Sequence, residues 1–120
     1  MVIRQEREQD YKEVYKLVTE AFAAADHADG NEQDLVEALR KGSSFIPELS
    51  LVAEAGGELA GHILFTKAAV GKDPVLVLAP LSVKPAYWRR GIGTALVNRG
   101  HEIARELGYE YSLVLGSEQY

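Results

Sequence analysis

Hydrophobic positions along this chain switch between helical and strand spacing, which predicts alternating helices and strands. Residues 2–4 indicate a short first strand. From Asp10 onward the hydrophobic positions recur at helical spacing, and Glu13, three residues later, predicts a capping box with Asp10 at the start of a helix. The residues expected on the buried face of this helix are Val14, Leu17, Val18, Ala21 and Phe22.

A second, shorter helix is predicted between Asn31, a favourable capping residue, and Gly42, which is expected to end it. Its apolar face would consist of Leu35, Val36 and Leu39. The polar stretch before it contains Asp26, His27 and Asp29. Their spacing does not match a calcium-binding loop, so we interpret this stretch as a solvated loop and expect no metal.

Residues 49–65 are typical of a β-hairpin, because two hydrophobic runs meet at Gly56 and Gly57. A further turn at 71–74 leads into 75–83, a run rich in valine and leucine. This run is too continuously hydrophobic for a half-exposed strand. We therefore expect it to be a buried central strand.

The last part of the chain is predicted to form a helix and a strand. The helix begins near Gly91 and ends at Gly108, and the strand occupies 111–115. Hydrophobic residues at helical spacing in this helix are Ile92, Ala95, Leu96, Ile103 and Leu107. The order of the elements is typical of an α/β or α+β fold built around one mixed sheet.

The composition fits one soluble globular domain. Of the 120 residues, 47% are hydrophobic and 26% are charged, which suits a single core and leaves no room for a second domain. The chain has no cysteine, which excludes thiol nucleophiles, cysteine metal sites and disulfides. No apolar segment near Met1 is long enough for a signal peptide or a membrane helix, so we expect a cytoplasmic protein.

Acidic residues outnumber basic residues in this chain. Its 13 basic and 18 acidic residues give a net charge of −5. This charge disfavours binding to nucleic acid and to anionic membranes, and it favours a basic partner. We therefore expect neither a nucleic-acid partner nor a membrane partner.

The segment 81–96 carries the strongest chemical signal, because a buried strand there runs through a glycine-bearing turn into a long helix. The first N–H groups of a helix have no partner within it, and the helix dipole adds positive potential, so an anion is stabilised at this end. Gly91 and Gly93 would allow a pyrophosphate to approach these amides. Further polar groups near this turn are the side chains of Arg89, Arg90 and Thr94.

Other phosphate-binding motifs fit this segment poorly. A dinucleotide fingerprint would need a third glycine or alanine where Leu96 stands, and a P-loop would need Gly-Lys followed by serine or threonine. The structural alternative is a tight turn in which the glycines serve packing alone. The preceding strand and the two arginines favour phosphate binding over this alternative.

Residues 88–93, Trp-Arg-Arg-Gly-Ile-Gly, resemble the signature of the GNAT acetyltransferase superfamily, with Trp88 where arginine or glutamine is usual. The helix at 10–22 and the strands within 51–65 are similar to that family's first helix and its second and third strands. The resemblance implies a single GNAT-like domain over 1–120, of the α/β (α+β) class. Its mixed, mostly antiparallel sheet would be flanked by helices and would stop after the fifth strand, lacking the family's last helix and strands.

The resemblance also implies an N-acetyltransferase that uses acetyl-coenzyme A as co-substrate and acts on a small-molecule or peptide amine by direct attack. Main-chain groups of the fourth strand would hold the pantetheine arm, and an N–H group of that strand would stabilise the negative charge that develops on the thioester carbonyl. The implied cofactor-binding residues are Leu81, Ser82, Val83, Trp88, Arg89, Arg90, Gly91, Ile92, Gly93 and Thr94.

Catalysis needs a base for the amine and an acid for the departing thiolate. Glu54, His62 and Glu118 are the candidate bases, although a histidine in the middle of an apolar strand more often has a structural role. In this family a tyrosine after the fifth strand often acts as the acid, and Tyr120 lies in that region. An alternative function is a coenzyme A-binding or interaction module without turnover.

The predicted last strand suggests self-association. In this family the fifth strand is flanked by strands from the C-terminal part, and a chain that stops at Tyr120 would lack them. An uncovered strand edge is a template for pairing with another chain. We therefore expect a homo-oligomer.

Overall fold

The computed structural model of this chain describes residues 1–24, 30–70, 73–109 and 112–114. Short 3-10 turns lie at Glu8–Asp10 and Pro85–Tyr87. In chain order, the strands and helices of these residues are β1 Val2–Gln5, α1 Tyr11–Ala23, α2 Glu32–Arg40, β2 Phe45–Ala55, β3 Glu58–Val70, β4 Asp73–Val83, α3 Ile92–Glu106 and β5 Ser112–Val114.

The strands form one sheet in which sequence neighbours are also spatial neighbours, in the order β1-β2-β3-β4-β5. The pairs from β1 to β4 are antiparallel, and β4 pairs with β5 in parallel. The parallel pair is possible because α3 carries the chain back across the sheet between β4 and β5. This architecture confirms the predicted mixed, mostly antiparallel sheet flanked by helices.

Helices cover both faces of the sheet. Ile92, Leu96 and Ala104 of α3 belong to one hydrophobic cluster with buried residues of β2, β3 and β4. On the other face, Val18 of α1 and Val36 of α2 pack in a second cluster with residues of β2 and β3. The alternation of side chains along each strand places the two clusters on opposite sides of the sheet.

Several boundaries differ from the predicted ones. The strands of the hairpin are longer than 49–65, since β2 begins at Phe45 and β3 ends at Val70. Gly56 and Gly57 both have positive φ, which confirms the predicted turn. Gly108 likewise has a positive φ just beyond the end of α3, as expected for a helix stop.

The predicted capping box of α1 is wrong. The carboxylate of Asp10 accepts a hydrogen bond from the Arg7 N–H at 2.8 Å, in the 3-10 turn that precedes α1. The carboxylate of Glu13 accepts one from the Leu59 N–H at 2.8 Å, at the start of β3. Both carboxylates therefore bond to groups outside α1, and Asp10 makes no side-chain capping bond to that helix.

The buried face of α2 is narrower than predicted. Val36 is 2% exposed, but Leu35 is 44% exposed, so the prediction that Leu35 is buried is wrong. The nine-residue helix α2 contacts the sheet along a narrow stripe, so only the side chains in that stripe are buried. Asn31 does occupy the N-cap position, although its side chain makes no capping hydrogen bond.

Gly100 allows α3 to pack closely on the sheet. A methyl group added to Gly100 would lie 2.3 Å from Cε2 of Phe65, whose side chain is fully buried in β3. That ring also packs at 6.0 Å from the ring of His101. The contact distance between α3 and β3 therefore depends on the absence of a side chain at this position.

We predict that Gly100→Ala lowers the free energy of unfolding by about 2 kcal/mol, because overpacking outweighs the gain in helix propensity. Gly42→Ala is the matched control, since an added methyl group there would meet its nearest atom at 3.5 Å, an ordinary contact. Urea denaturation of both variants measures the difference. Equal stability of the two variants would contradict the packing argument.

Candidate functional site

The carboxyl-terminal half of β4 has one edge, here called the open edge, that no described strand covers. Its pairing with β5 covers Leu76, Val77 and Leu78, and none of the described residues pairs with the same edge beyond Leu78. The pairing with β3 shifts by one residue between Leu78 and Leu81, which places a β-bulge in β4. Proline is tolerated at such a bulge, and the sequence has Pro80 there.

Main-chain groups of Leu81 and Val83 point toward this open edge. The Lys84 N–H donates to the Ala60 carbonyl at 2.8 Å, so Lys84 faces β3. Hydrogen-bonding direction alternates along an antiparallel pair, so Val83 and Leu81 face away from β3. This edge of β4 therefore presents the N–H and C=O groups of Leu81 and the N–H group of Val83 to a ligand, because the Val83 carbonyl accepts a hydrogen bond from the Trp88 indole.

Ser82 differs from its two neighbours in this respect. Its main-chain groups face β3, where it is paired with His62. Its side chain is buried, and its hydroxyl oxygen has no hydrogen-bond partner among the described residues. Among the main-chain groups of 81–83, those of Leu81 and the N–H of Val83 are thus open to a ligand, whereas those of Ser82 are occupied by β3.

A strained turn connects β4 to α3. Arg89 and Gly91 both have positive φ, at 64° and 80°, and Gly91 is the residue that precedes α3. A methyl group added to Gly91 would meet no atom within 4 Å. The glycine is therefore required by its backbone conformation, and the space beside it is open to a ligand.

The first turn of α3 has main-chain N–H groups that precede the helical hydrogen bonds. The first intrahelical hydrogen bond runs from the Ala95 N–H to the Gly91 carbonyl at 3.0 Å, so the N–H groups of Ile92, Gly93 and Thr94 precede the helical ladder. Gly91 supplies no side-chain cap for them. Oriented amides and the helix dipole together stabilise a phosphate group at this end.

Three exposed side chains, those of Arg89, Arg90 and Thr94, surround this end of the helix. The guanidinium of Arg90 lies 5.4 Å from the centre of the Tyr87 ring, which restrains this arginine beside the turn. The predicted phosphate-binding residues are thus brought together on one turn, with positive charge nearby.

Trp88 joins the turn to the edge of β4. Its indole N–H donates to the Val83 carbonyl oxygen at 2.6 Å. The ring is not buried by this contact, since Trp88 remains 39% exposed. The sequence pattern did not predict this hydrogen bond, because it depends on the path of the turn rather than on residue type.

The tip of the β2–β3 hairpin supports the 3-10 turn before Trp88. The Tyr87 hydroxyl lies 3.1 Å from both the Ala55 carbonyl oxygen and the Glu58 carboxylate, and Lys84 forms an ion pair with Glu58. Lys84 lowers the pKa of Glu58, and desolvation and Glu58 raise the pKa of Tyr87. The tyrosine therefore stays protonated and can donate its hydrogen bond.

Glu54 lies two strands away from β4, at the β1 side of the sheet. Its carboxylate accepts a hydrogen bond from Arg4, which also binds Asp10 at 2.7 Å. The hydrogen bonds from Arg4 lower the pKa of Asp10. These contacts give Glu54 a place in an ion-pair network that joins β1, β2 and the start of α1.

His62 belongs to a buried polar network on the α1 and α2 face. Its Nε2 lies 3.2 Å from the Ser50 hydroxyl, which donates to Glu6 at 2.7 Å, and Arg40 holds the Glu6 carboxylate through an ion pair. Because Ser50 gives its proton to Glu6, Nε2 must carry the histidine proton and donate to Ser50. The other ring nitrogen, Nδ1, is therefore unprotonated.

Burial keeps His62 neutral. The side chain is fully buried, and desolvation lowers the pKa of His62 to about 4, with Arg40 acting in the same direction and Glu6 opposing both. Protonation would occur on Nδ1, which has no hydrogen-bond partner in the described part of the chain. The sequence signal for this network is weak, since Ser50 and His62 lie within the hydrophobic runs of two different strands and nothing in the sequence links them.

The remaining predicted residues cannot be placed in this site. Tyr120, Glu118 and the stretch Asp26, His27 and Asp29 lie outside the described residues. Over the described ranges, no group of three or more histidine, aspartate or glutamate side chains could hold a metal ion. None of the helices in these ranges is long and apolar enough to span a bilayer.

Comparison with known proteins relates this site to a family. Residues 11–119 match the acetyltransferase (GNAT) family. The uncharacterized N-acetyltransferase YjhQ of Escherichia coli strain K12 is 36% identical over 115 residues, which cover 92% of this chain and 61% of that protein. The chain therefore spans about three fifths of the length of this curated relative.

Two solved structures share the fold at substantial identity. A GNAT family acetyltransferase from Brucella melitensis in complex with acetyl-CoA superimposes with a TM-score of 0.88 at 34% identity, covering 99% of this chain and 77% of that one. YhbS, a GNAT family N-acetyltransferase from Escherichia coli in complex with CoA, superimposes with a TM-score of 0.82 at 27% identity, covering 96% of this chain and 62% of that one.

Proposed function

Because this chain belongs to the GNAT acetyltransferase family, we propose that it binds acetyl-coenzyme A and transfers the acetyl group to an amine by direct attack. The observation that carries this proposal is the combination of the open β4 edge with a start of α3, at Gly91, that has no side-chain cap. The acetyl-CoA and CoA complexes of the two similar structures support it.

The proposed cofactor position follows from these two elements. The pyrophosphate would accept hydrogen bonds from the N–H groups of Ile92, Gly93 and Thr94, with Arg89 and Arg90 adding positive charge. The pantetheine arm would then lie along the open edge of β4 and bond to main-chain groups of Leu81 and to the Val83 N–H. Ser82 lies between these two residues, but its own main-chain groups face β3 and would not bond to the arm.

The same edge supplies stabilisation of the transition state. Attack of an amine on the thioester carbon places negative charge on the carbonyl oxygen. A fixed N–H of Leu81 or Val83 would donate to that oxygen, and this bond strengthens as the charge develops. The α3 side of β4 is filled by Ile92 and Leu96, so the amine would approach from the face that carries α1 and α2.

The general acid and the general base are proposed from the family resemblance. Tyr120 would protonate the departing thiolate, and Glu118, Glu54 and His62 are the candidates for accepting a proton from the amine. The ion pair of Glu54 with Arg4 and the low pKa of His62, about 4, favour structural roles for these two side chains. This leaves the C-terminal segment as the preferred source of both groups.

The acceptor is proposed to be a small-molecule or peptide amine. The net charge of −5 favours an acceptor that is cationic before deprotonation. The cytoplasmic location, expected because no long apolar segment lies near Met1, stays a prediction. The alternative function, a coenzyme A-binding or interaction module without turnover, predicts the same cofactor contacts.

An assay with two readouts separates these functions. Calorimetry measures acetyl-coenzyme A binding, and release of free thiol in the presence of a broad amine panel measures transfer. Binding together with amine-dependent thiol release supports the enzyme. Binding without thiol release, when a longer chain of the same protein is active, supports the module for this segment, and absence of binding would overturn both.

A homo-oligomer is also proposed. β5, Ser112–Val114, has β4 as its one strand neighbour among the described residues, and an open strand edge can pair with a second copy. We predict that the chain sediments as a dimer or larger species at micromolar concentration and that Leu113→Lys weakens association. A monomer across that concentration range would contradict the proposal, whereas acetyl-coenzyme A binding should be unaffected by this substitution.

A further inference from the structure

We infer that the indole ring of Trp88 is a binding surface for the pantetheine arm, so that this side chain contributes to cofactor affinity. The inference rests on the proposed function and adds a side-chain contact to its main-chain contacts. Arginine or glutamine is usual at this position of the family signature, and neither side chain offers an aromatic surface.

The position of the ring supports the inference. The Val83 carbonyl faces the open edge of β4, and the Trp88 indole N–H is bonded to that carbonyl at 2.6 Å. The ring is therefore held at the open edge, beyond the last described pairing of β4 with β5.

The path of the cofactor brings the arm to this ring. The phosphate-binding amides start at Ile92, and the thioester would lie near Leu81 and Val83. Any chain that connects these two sites must pass Val83, where the indole is anchored. The arm therefore meets the ring between its phosphate end and its thioester end.

The chemistry of the ring suits this contact. Trp88 is 39% exposed, so part of a large apolar surface is open to a ligand although its N–H is already bonded. The pantetheine arm carries methyl and methylene groups that gain from packing on such a surface. The indole N–H occupies the Val83 carbonyl, so the arm cannot donate a hydrogen bond there. The indole ring instead provides an apolar surface on which the arm can pack.

A purely structural role makes a different prediction. If the ring only braces the turn, its removal would lower stability and would weaken every ligand of the Gly91 turn equally. If the ring contacts the arm, its removal would weaken acetyl-coenzyme A selectively. A ligand that lacks the arm therefore distinguishes the two roles.

The chain has one tryptophan, so its fluorescence reports on this ring alone. We would titrate the unmodified protein with acetyl-coenzyme A and, separately, with the phosphorylated adenosine diphosphate portion of coenzyme A, which lacks the arm. The expected result is a saturable emission change with the first ligand and a much smaller change with the second at full occupancy. Calorimetry under the same conditions establishes the occupancy of each ligand.

Two substitutions complete the test. Trp88→Ala is expected to raise the Kd for acetyl-coenzyme A about 10-fold and the Kd for the fragment less than about 2-fold. Trp88→Phe keeps an aromatic surface and is expected to retain most of the affinity. Equal losses for both ligands, or acetyl-coenzyme A binding without a fluorescence change, would overturn this inference and leave the proposed function intact. Absence of acetyl-coenzyme A binding would overturn both.

Discussion

Thr94→Glu is expected to weaken acetyl-coenzyme A binding about 100-fold without destabilising the fold. Thr94 is exposed in the first turn of α3, beside the amides proposed to hold the pyrophosphate. A carboxylate at this position would repel the phosphate charge by about 3 kcal/mol at short range near a protein surface. A loss of that size corresponds to roughly two orders of magnitude in Kd.

The same substitution is expected to have the opposite effect on the helix. A negative charge in the first turn interacts favourably with the helix dipole, so the free energy of unfolding should stay the same or rise by about 0.5 kcal/mol. Misfolding therefore cannot account for weaker binding if thermal unfolding is unchanged. Affinity is thus expected to fall while stability is unchanged or rises, and this combination is specific for an anion bound at the start of α3.

Thr94→Gln is the matched control, because it adds a side chain of similar size without charge. Calorimetric titration with acetyl-coenzyme A should show a loss of less than about 10-fold for this variant. Raising the salt concentration should reduce the penalty in the glutamate variant. Equal affinity of the glutamate variant and the unmodified protein would contradict pyrophosphate binding at this helix end.

Acid is expected to destabilise this protein through His62. Its pKa in the folded state is about 4, below the ordinary value of 6.5, so the unfolded chain binds this proton more readily than the folded chain does. The free energy of unfolding should therefore fall as the pH drops from about 6.5 to about 4 and level off below that range. Over this window the loss from this one group is roughly 3 kcal/mol.

His62→Gln removes the titrating group and retains a side-chain amide that can donate to Ser50. This variant is expected to lose stability at neutral pH, but the quantity of interest is the slope of stability against pH. The slope between pH 6.5 and 4 should become shallower by up to about 1.4 kcal/mol per pH unit. Urea denaturation at a series of pH values measures this slope.

His101→Gln is the control for the acid experiment, since His101 lies partly exposed on α3, away from the buried network. The change of slope in the His62 variant is measured against the slope of this second histidine variant. Carboxylates such as Asp10 add a further acid dependence, but they are common to all three proteins and cancel in the comparison. An unchanged slope in the His62 variant would refute the assignment of a neutral, buried histidine.

Local sequence signals were sufficient for most of the fold. The hairpin at Gly56 and Gly57 and the start of α3 at Gly91 each combine a hydrophobic period with a residue that tolerates positive φ. Asp10 and Glu13 show the limit of such local signals. Their spacing fits a capping box, yet Arg7 and Leu59 offer each carboxylate a better partner, and Leu59 is distant in the sequence.

The sequence predicted the part of the candidate site that depends on the glycine-bearing turn. It did not predict the part that depends on the register of β4 against β3. The glycine turn identifies the helix start, but only the alternation of hydrogen bonds along β4 separates Val83 from Ser82. The hydrogen bond from Trp88 to Val83 and the network of Glu6, Ser50 and His62 arise from tertiary proximity. The spacing of residues in the sequence does not predict these contacts.

The central claim is that acetyl-coenzyme A lies along the β4 edge with its pyrophosphate at the start of α3. Nuclear magnetic resonance titration of the isotope-labelled protein with acetyl-coenzyme A tests this claim residue by residue. The largest amide shifts are expected in the first turn of α3, at Ile92, Gly93 and Thr94, and at Leu81 and Val83. Saturable binding that leaves these amides unchanged, or no saturable binding, would contradict the account.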